Sequence, residues 1–470
     1  GMTMLDLIVV AQWFLLAYFV AINLGYIGLN LLSLGGIRRY LHAHSLDDLP
    51  RAESGFELPV SLLVPAYNEE ATIGSSVRSM LQLNYPEYEV IVINDGSKDG
   101  TLEALKREFG LVTFPEAYWR RLEVKPVRAV YRSTLHDNLR VIDKDNGGKA
   151  DALNAGINAA RYPLFCGVDA DSILERDSLR RVVEPFLEEP LTVATGGTVR
   201  VANGCEVDGG FLTRVGLPRN PLALLQIVEY LRAFLFGRLG WSPLNAVLII
   251  SGAFGVFRKE AVVTAGGYRH DTVGEDMELV VRLHRHHRLA RIPYRITFVP
   301  DPICWTEAPE SLGVLKNQRV RWQRGLSESL TLNLPLLFHS RGGAPGWIAF
   351  PFMVLFEWLG PLIEVAGYAG MITAFALGLV SAEAFVAFIV VAVGFGLLLS
   401  TNSLLLEEAS FHVYPGLRSL PLLAGVAVLE NFGYRQLNSV WRLWGLLRWL
   451  VGSKGSWGEM KRTASWRKAS

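Results

Sequence analysis

The feature that most constrains this chain is a long run without charge near its start. From Leu7 to Leu34 no side chain is charged, and a helix of that length can cross the roughly 30 Å hydrocarbon core of a bilayer. A cleaved signal peptide would have a basic start and a shorter apolar core, whereas only Asp6 precedes this run. Arg38 and Arg39 follow it, so the positive-inside tendency predicts an external N-terminus. We therefore predict an N-terminal transmembrane helix over residues 1–40.

Two further apolar stretches follow near the C-terminus. Trp347 to Val380 and Ala384 to Leu406 are each long enough to span a bilayer, and a short loop joins them. Glu357 and Glu364 lie seven residues apart in the first stretch and share one helical face. Because carboxylates are costly at membrane depth, that face either lines a polar passage or packs near the interface.

The last apolar stretch has an ambiguous path. Ser419 to Leu450 is interrupted by charged residues and rich in tryptophan, as expected for a span followed by an interfacial helix. The basic tail, residues 453–470, is expected in the cytosol, which conflicts with four full crossings from an external N-terminus. Either the last segment crosses incompletely or the sequence hides another crossing.

Composition excludes several classes of function. Lysine and arginine total 46 against 45 acidic residues, so no basic excess indicates nucleic acid as a partner. The three cysteines form no CxxC pair, which argues against a disulfide framework and against a zinc site. We predict buried thiols in a reducing compartment.

Between Glu57 and about Pro300 the sequence alternates short β-branched runs with amphipathic stretches, as an α/β sheet does. The predicted strands are Ser61–Pro65, Val90–Asn94 and Leu164–Val168, and the predicted helices are Ala71–Leu81 and Ala150–Ala160. Polar residues follow each predicted strand. Ligands bind at the carboxyl ends of the strands in such sheets, so these residues predict a nucleotide-type site.

Two carboxylates separated by one small residue follow the third strand. Asp169 and Asp171 could both approach one hard cation such as Mg²⁺ or Mn²⁺ bound to a diphosphate, although many such triplets are solvated turns. Gly147, Gly148 and Lys149 open the next helix and could receive an anion, or could form an ordinary cap.

Two more polar groups occur later in the chain. Glu275 and Asp276 begin a helix, where they could simply complement the helix dipole. Gln318, Arg321 and Trp322 lie on an amphipathic stretch and could serve only as an interfacial anchor.

In order along the chain, these motifs resemble the membrane-embedded family 2 glycosyltransferases of the GT-A fold, the branch that contains cellulose, hyaluronan and poly-N-acetylglucosamine synthases. The motifs are Val64-Pro-Ala-Tyr-Asn-Glu69, Asn94-Asp-Gly-Ser97 with Asp99, Gly148-Lys149, Asp169-Ala-Asp171, Ser251-Gly-Ala-Phe-Gly255, Gly274-Glu-Asp276 and Gln318-Arg-Val-Arg-Trp322. The last of these, QxxRW, is the most selective, because soluble relatives that add one sugar generally lack it.

The resemblance implies roles for individual residues. Tyr67, Glu69, Asp95 and Lys149 would bind the nucleotide together with Asp169, while Asp171, helped by Asp169, would hold Mg²⁺ or Mn²⁺ on the diphosphate. Asp276 would be the general base, with Glu275 beside it. Gln318, Arg321 and Trp322 would line the acceptor end near the pyrophosphate.

The sequence departs from the family pattern in three respects. The acidic triplet begins with Gly274 where many relatives have threonine. No gating-loop motif is recognisable after Trp322 and no cyclic-dinucleotide-binding domain follows, which argues against regulation of the cellulose-synthase kind. The C-terminal membrane part is small. Leu222 to Leu239 resembles the interface helices that seat such domains on the bilayer.

The resemblance predicts an inverting enzyme that transfers a hexose or N-acetylhexosamine from a UDP-sugar to a growing glycan, with processive synthesis coupled to translocation. Single transfer to a lipid-linked or polyprenyl-phosphate acceptor is one alternative, and a non-catalytic membrane scaffold or receptor is another. Expected partners are the lipid bilayer and accessory subunits or further copies of the chain. We expect a multi-pass protein of a bacterial-type inner membrane, with a cytosolic GT-A domain over 41–310, an interface segment over 311–345, membrane and interfacial helices over 346–452, and the tail over 453–470.

Overall fold

A computed structural model describes residues 2–44, 57–411, 413–414 and 416–452, so the basic tail lies outside the described part of the chain. Helices and strands are interspersed up to residue 306, and helices follow. The helices are α1 (Met4–His44), α2 (Ile73–Met80), α3 (Thr101–Phe109), α4 (Lys149–Ala159), α5 (Ser178–Glu188), α6 (Pro221–Leu231), α7 (Lys259–Thr264), α8 (Glu275–Leu289), α9 (Leu312–Leu332), α10 (Phe350–Phe352), α11 (Gly360–Ala376), α12 (Ala382–Ser410), α13 (Ser419–Leu429) and α14 (Arg435–Leu450).

The strands that the structure describes form one twelve-stranded mixed sheet with the order β3-β4-β5-β2-β1-β6-β11-β8-β12-β7-β10-β9. They are β1 (Val60–Ala66), β2 (Tyr88–Asp95), β3 (Leu111–Thr113), β4 (Val127–Ser133), β5 (Leu139–Lys144), β6 (Leu164–Val168), β7 (Ile173–Leu174), β8 (Thr192–Val201), β9 (Glu206–Asp208), β10 (Phe211–Arg214), β11 (Phe254–Arg258) and β12 (Arg295–Thr306).

The centre of the sheet is parallel, and this determines where the site lies. Strands β5, β2, β1 and β6 run in one direction, with Ala66 of β1 opposite Asn94 of β2. Both faces of β1, β2 and β6 are covered, which is why the central residues of these strands are apolar. The predicted α/β fold is confirmed: the three predicted strands correspond to β1, β2 and β6, and the two predicted helices to α2 and α4.

Two described helices are long and apolar enough to cross a membrane, Met4–His42 within α1 and Ala382–Ala409 within α12. Pro345–Trp358 and Gly360–Ala376 would together make a third, although they meet at a bend of 42°. Pro361 follows the bend and has no N–H to donate to the carbonyl group one turn earlier, which accounts for the break. The stretch that the sequence presents as one span is therefore two helical segments that meet at a bend.

The last apolar stretch is also broken. Helix α13 has 11 residues, well short of the roughly 20 that a spanning helix needs. Phe432 and Gly433 then leave helical geometry, and α14 packs along α9 beside the sheet-containing domain. Among the described residues, this stretch contains no single helix that is long and apolar enough to span a bilayer.

Two ion pairs join the sheet-containing domain to the C-terminal helices. Arg200 of β8 lies 2.6 Å from Glu407 near the end of α12, with side chains 1% and 2% exposed. Arg232, which follows α6 in a π-helical segment (Arg232–Arg238), lies 2.5 Å from Glu430 at the break between α13 and α14. The interface helix predicted over Leu222 to Leu239 consists of the α-helix α6 followed by a π-helical segment.

Candidate active site

The loops that follow β1 and β2 are locked together by hydrogen bonds. Asn68 adopts a left-handed conformation with φ 53°, and its amide donates to Ser97 Oγ at 3.0 Å. The amide of Lys98 donates in turn to Asn68 Oδ1 at 2.8 Å. This interlock leaves the ring of Tyr67 43% exposed at the cavity wall, with Glu69 nearby.

Asp95 shapes the glycine turn before α4. Its Oδ1 accepts from the amide of Gly147 at 3.0 Å, and its Oδ2 accepts from the amide of Gly148 at 2.9 Å. The ammonium group of Lys144 lies 2.5 Å from both Asp95 Oδ1 and Asp151 Oδ2, and its side chain is fully buried. Both oxygens of Asp95 are therefore engaged in holding this turn.

Lys149 begins α4 and faces two carboxylates. Its Nζ lies 2.7 Å from Asp169 Oδ1 and 3.8 Å from Glu275 Oε1. Burial would lower the pKa of Lys149, but Asp169, Glu275 and Asp276 together raise it above its ordinary value. Burial raises the pKa of Glu275 to about 7, with Lys149 opposing the rise and Asp276 adding to it. Lys149 thus remains a cation at neutral pH.

The donor atoms of Asp169 and Asp171 suit a hard divalent cation. Both residues follow β6 and line the cavity, and carboxylate oxygens are the ligands that Mg²⁺ and Mn²⁺ prefer. No group of three or more His, Cys, Asp and Glu side chains within the described residues could hold a metal ion. The pair therefore fits a cation that draws its remaining ligands from a bound diphosphate or from water.

Asp276 is held at the start of α8. Its Oδ2 accepts from the amide of Gly252 at 3.1 Å. The residue two positions earlier, Gly274, packs against Gly325 of α9, and a Cβ at Gly274 would lie 2.8 Å from the Gly325 Cα. The glycine in Gly-Glu-Asp is therefore required by the close approach of α8 and α9.

The QxxRW motif lies on α9, where its residues differ in burial. Trp322 is 44% exposed, whereas Gln318 is buried with its Oε1 lacking a hydrogen-bond partner among the described residues. Arg319, between them, lies with its guanidinium carbon 4.5 Å from the centroid of the Trp322 ring. Arg319 also donates from Nη2 to Glu229 Oε2 at 2.9 Å.

One large open cavity of about 2720 Å³ brings all the predicted site residues together. Its wall includes Tyr67, Glu69, Asp95, Lys149, Asp169, Asp171, Glu275, Asp276, Gln318, Arg321 and Trp322. The strand ends and the loops after them supply Tyr67, Glu69, Asp95, Asp169 and Asp171, and Lys149 begins α4. Helix α8 supplies Glu275 and Asp276, and α9 supplies the last three.

The same cavity continues between the membrane helices. Glu357 and Glu364 both line it, in agreement with a shared polar face. Each also contacts α14: Arg442 Nη2 lies 3.2 Å from Glu357 Oε2, and Ser439 Oγ donates to Glu364 Oε2 at 2.5 Å. A polar path therefore extends from Trp322 into the helical region.

Three residues of this site were missed in the sequence. Lys144 ends β5 at the same sheet edge as the predicted residues, so its strand-end position was a usable signal. Arg319 sits inside the QxxRW motif at a position the motif leaves free. Arg238 lies within the predicted interface helix, but hydropathy does not indicate the π-helical turn that brings it to the cavity.

Two family models match most of the sheet-containing domain. The model described as glycosyl transferase family 2 matches residues 61–118, and the model described as glycosyltransferase like family 2 matches residues 123–325. Together the matches extend from β1 to α9 and include every predicted site residue.

Curated relatives and a solved structure agree with this assignment. The chain is 32% identical over 274 residues to a poly-beta-1,6-N-acetyl-D-glucosamine synthase of Staphylococcus aureus strain COL, covering 58% of this chain and 55% of that protein. It is 30% identical over 272 residues to the synthase of the same name from Staphylococcus epidermidis, with the same shares covered. The chain thus spans about half the length of these relatives.

The solved structure is a mannosyltransferase from Pyrobaculum calidifontis in complex with GDP-Man and Mn²⁺. It has a TM-score of 0.53 at 19% identity and covers 90% of this chain and 99% of its own. At that identity the likeness concerns the fold alone. The family matches, the relatives and the arrangement of the cavity agree, and the chain is a family 2 glycosyltransferase with a GT-A domain.

Proposed function

We propose that this chain is an inverting glycosyltransferase that moves a hexose or N-acetylhexosamine from a UDP-sugar to a growing glycan, processively and with export of the product. The observation that carries this proposal is the continuous cavity, which joins the strand-end polar residues to Asp276, Trp322 and the polar path between the membrane helices. The curated relatives that are named as polymer synthases support it.

The donor would lie along the strand ends. Tyr67 offers an exposed ring for the base, Glu69 lies beside it, and the turn held by Asp95 offers backbone groups near the nucleotide. Lys149 is a cation at the start of a helix, where an anionic diphosphate is favoured. Asp171 and Asp169 would hold Mg²⁺ or Mn²⁺, which when bound neutralises charge on the departing diphosphate.

Transfer would take place at Asp276. Its carboxylate takes the proton of the acceptor hydroxyl while the acceptor oxygen bonds to the anomeric carbon and the bond from that carbon to the diphosphate breaks. One base and one displacement invert the anomeric centre, since retention by double displacement would need a carboxylate nucleophile on the opposite face. Glu275 is buried beside Lys149, which suits it to holding that lysine in place.

The acceptor would extend from Trp322 toward the membrane. The half-exposed Trp322 ring offers an apolar face for a sugar, and Arg321 and Gln318 line the same wall. Beyond them, Glu357, Glu364 and their α14 partners offer hydrogen bonds to a polar chain passing between the helices. Such a path suits a polymer more than a single transferred sugar.

The proposed topology has three crossings. With the N-terminus outside, α1 enters the cytosol, the bent pair Pro345–Trp358 and Gly360–Ala376 leaves it, and α12 returns. Helices α13 and α14 then enter the bilayer partway and return, so the tail ends in the cytosol without a fourth crossing. This arrangement, in a bacterial-type inner membrane, uses the domain limits expected from the sequence. It leaves the basic tail in the cytosol without requiring four full crossings. Accessory subunits or further copies of the chain would act at the outer end of the path.

A donor panel tests the proposal. The full chain in liposomes is supplied with UDP-N-acetylglucosamine, UDP-glucose or UDP-galactose and with Mg²⁺ or Mn²⁺, and UDP release and product length are measured. We expect one donor to give metal-dependent UDP release and products of many sugars. Products extended by a single sugar would overturn processivity, and release that requires added polyprenyl phosphate would favour the lipid-linked alternative. Absence of UDP release with every donor would favour the scaffold alternative.

A further inference from the structure

Arg238 is a partly buried cation in the cavity wall to which the family motifs assign no role. It ends the π-helical segment Arg232–Arg238, which packs against α1 and α12 on one side and against β8 and β12 on the other. Its side chain lines the cavity together with Gly252 and Asp276. The residue therefore lies at the base of the reaction site, where that site meets the membrane helices.

The guanidinium of Arg238 has unused hydrogen-bonding capacity. Its Nη1 is buried and has no hydrogen-bond partner among the described residues. Two nearby arginines each have a carboxylate partner, since Arg232 pairs with Glu430 and Arg319 with Glu229. An unpaired buried donor costs about 1–3 kcal/mol and more when it is charged, so this position is unfavourable unless a ligand supplies an acceptor.

Two interactions set the position and charge of this group. The guanidinium carbon lies 4.1 Å from the centroid of the Phe234 ring, and Phe234 stacks in turn on Phe298 with ring centroids 6.2 Å apart. Burial lowers the pKa of Arg238 to about 10, against the opposing influence of Asp276. The side chain therefore stays charged at neutral pH and is held within the electrostatic reach of the proposed base.

We propose that Arg238 binds the terminal sugar of the acceptor glycan, donating hydrogen bonds to its oxygen atoms and orienting its hydroxyl toward Asp276. The inference rests on the proposed function and adds an acceptor-binding residue to it. An acceptor is favoured over the donor diphosphate because Lys149 and the carboxylates of Asp169 and Asp171 lie at the strand ends, whereas Arg238 lies on the membrane-facing segment.

The test compares Arg238→Gln and Arg238→Lys with wild type and with Arg258→Gln. Arg258 also lies over a phenylalanine ring, Phe186, at 5.6 Å, but does not line the cavity, so it is a matched control. Tetramers of N-acetylglucosamine or glucose serve as the acceptor probe, chosen to match the donor. Acceptor KM and donor KM are measured through UDP release, and thermal unfolding checks the fold.

We expect Arg238→Gln to raise the acceptor KM about tenfold or more, the order expected for one charge-assisted hydrogen bond, with the donor KM within twofold of wild type. The acceptor KM of Arg238→Lys should lie between those of wild type and Arg238→Gln, and the acceptor KM of Arg258→Gln should resemble that of wild type. An unchanged acceptor KM, or an equal rise in donor KM, would overturn the assignment.

A binding experiment separates failure of this inference from failure of the proposed function. Equilibrium binding of the same tetramers to wild type and to Arg238→Gln requires no turnover. If wild type releases no UDP, the proposed function fails, while a tenfold weaker tetramer affinity of the variant would still support Arg238 as a sugar-binding residue. Equal tetramer affinities would refute that role.

Discussion

At the scale of single residues, each charged group around the proposed reaction site is held by a particular partner. Asp95 is bound to a glycine turn, Lys149 to two carboxylates, and Asp276 to a backbone amide. These contacts fix positions before a ligand arrives, which is how a site stabilises a transition state without reorganising. Arg238 is the contrasting case, because its buried Nη1 has no hydrogen-bond partner among the described residues.

Asp301, which does not line the cavity, gives a prediction for how the thermal stability of the protein depends on pH. Burial raises the pKa of Asp301 in β12 from 3.8 to about 6, and the hydroxyl of Tyr40 in α1 donates to it. Because the folded state holds this proton more tightly than the unfolded state does, protonation of the carboxyl group stabilises the fold. The contribution is fully present below the pKa of the unfolded state and is lost as pH rises through the pKa of the folded state. We expect the thermal unfolding midpoint in detergent to fall from pH 5 to pH 7 more steeply for wild type than for Asp301→Asn. Parallel curves would contradict this.

At the scale of elements, the contact between α8 and α9 couples the proposed base to the QxxRW helix. Gly274 and Gly325 approach so closely that neither tolerates a Cβ without displacement. Asp276 lies two residues beyond Gly274, and Trp322 lies three residues before Gly325. This contact therefore determines the spacing between the Asp276 carboxylate and the Trp322 ring.

The substitution Gly325→Ala tests this coupling. A Cβ would lie 3.0 Å from the Gly274 Cα, so α8 must shift, and misplacement by about 1 Å can reduce turnover by roughly 100-fold. We expect kcat to fall at least tenfold with a smaller change in donor KM, measured as UDP release. Gly313→Ala on the same helix is the control, because nothing lies within 4 Å of its added Cβ. Equal turnover in both variants would contradict the coupling.

Sequence reasoning succeeded where local chemistry decides the structure. The central residues of β1, β2 and β6 are apolar because both faces of these strands are covered, and the ordered motifs selected Asp169 and Asp276, which line one cavity. It could not recover the bend near Pro361 or the break at Phe432 and Gly433, because hydropathy is continuous through the first and mixed at the second. Arg238 depends on a π-helical turn set by tertiary packing, which residue spacing does not encode.

At the scale of the whole molecule, the catalytic domain and the membrane helices form one packed unit. Arg200 and Glu407 join β8 to α12, and Arg232 and Glu430 join the interface segment to the break before α14. The cavity runs along this junction. A glycan formed at the strand ends would therefore meet the membrane path without leaving the protein.

Removing one partner of the buried pair should weaken this junction. Glu407→Gln leaves the guanidinium of Arg200 without a counter-charge in a site where both side chains are almost fully buried, and such a loss costs about 3–5 kcal/mol. We expect a lower thermal unfolding midpoint in detergent. Glu206→Gln is the matched control, because it breaks an exposed pair with Arg214 at 3.6 Å that is worth at most about 1 kcal/mol. Similar midpoints for the two variants would contradict the junction's importance.

The proposed topology can be tested by labelling. The three cysteines are buried, so a membrane-impermeant maleimide reports on added ones. We expect Leu377→Cys, between the bent pair and α12, to react in intact cells, and Leu417→Cys, before α13, to react only after permeabilisation. Leu417 is 98% exposed and Leu377 is 66% exposed, so access is governed by the membrane. The reverse pattern would contradict an external N-terminus.

The central claim is that Asp276 is the base of a sugar transfer. The most direct measurement is UDP release by Asp276→Asn, with Asp271→Asn as control, since Asp271 is exposed, pairs with Arg269 and does not line the cavity. We predict that Asp276→Asn releases UDP roughly 100-fold or more slowly than wild type, the usual contribution of a general base, while its affinity for UDP and the activity of Asp271→Asn are unchanged. UDP release by Asp276→Asn within a few-fold of wild type would contradict the account.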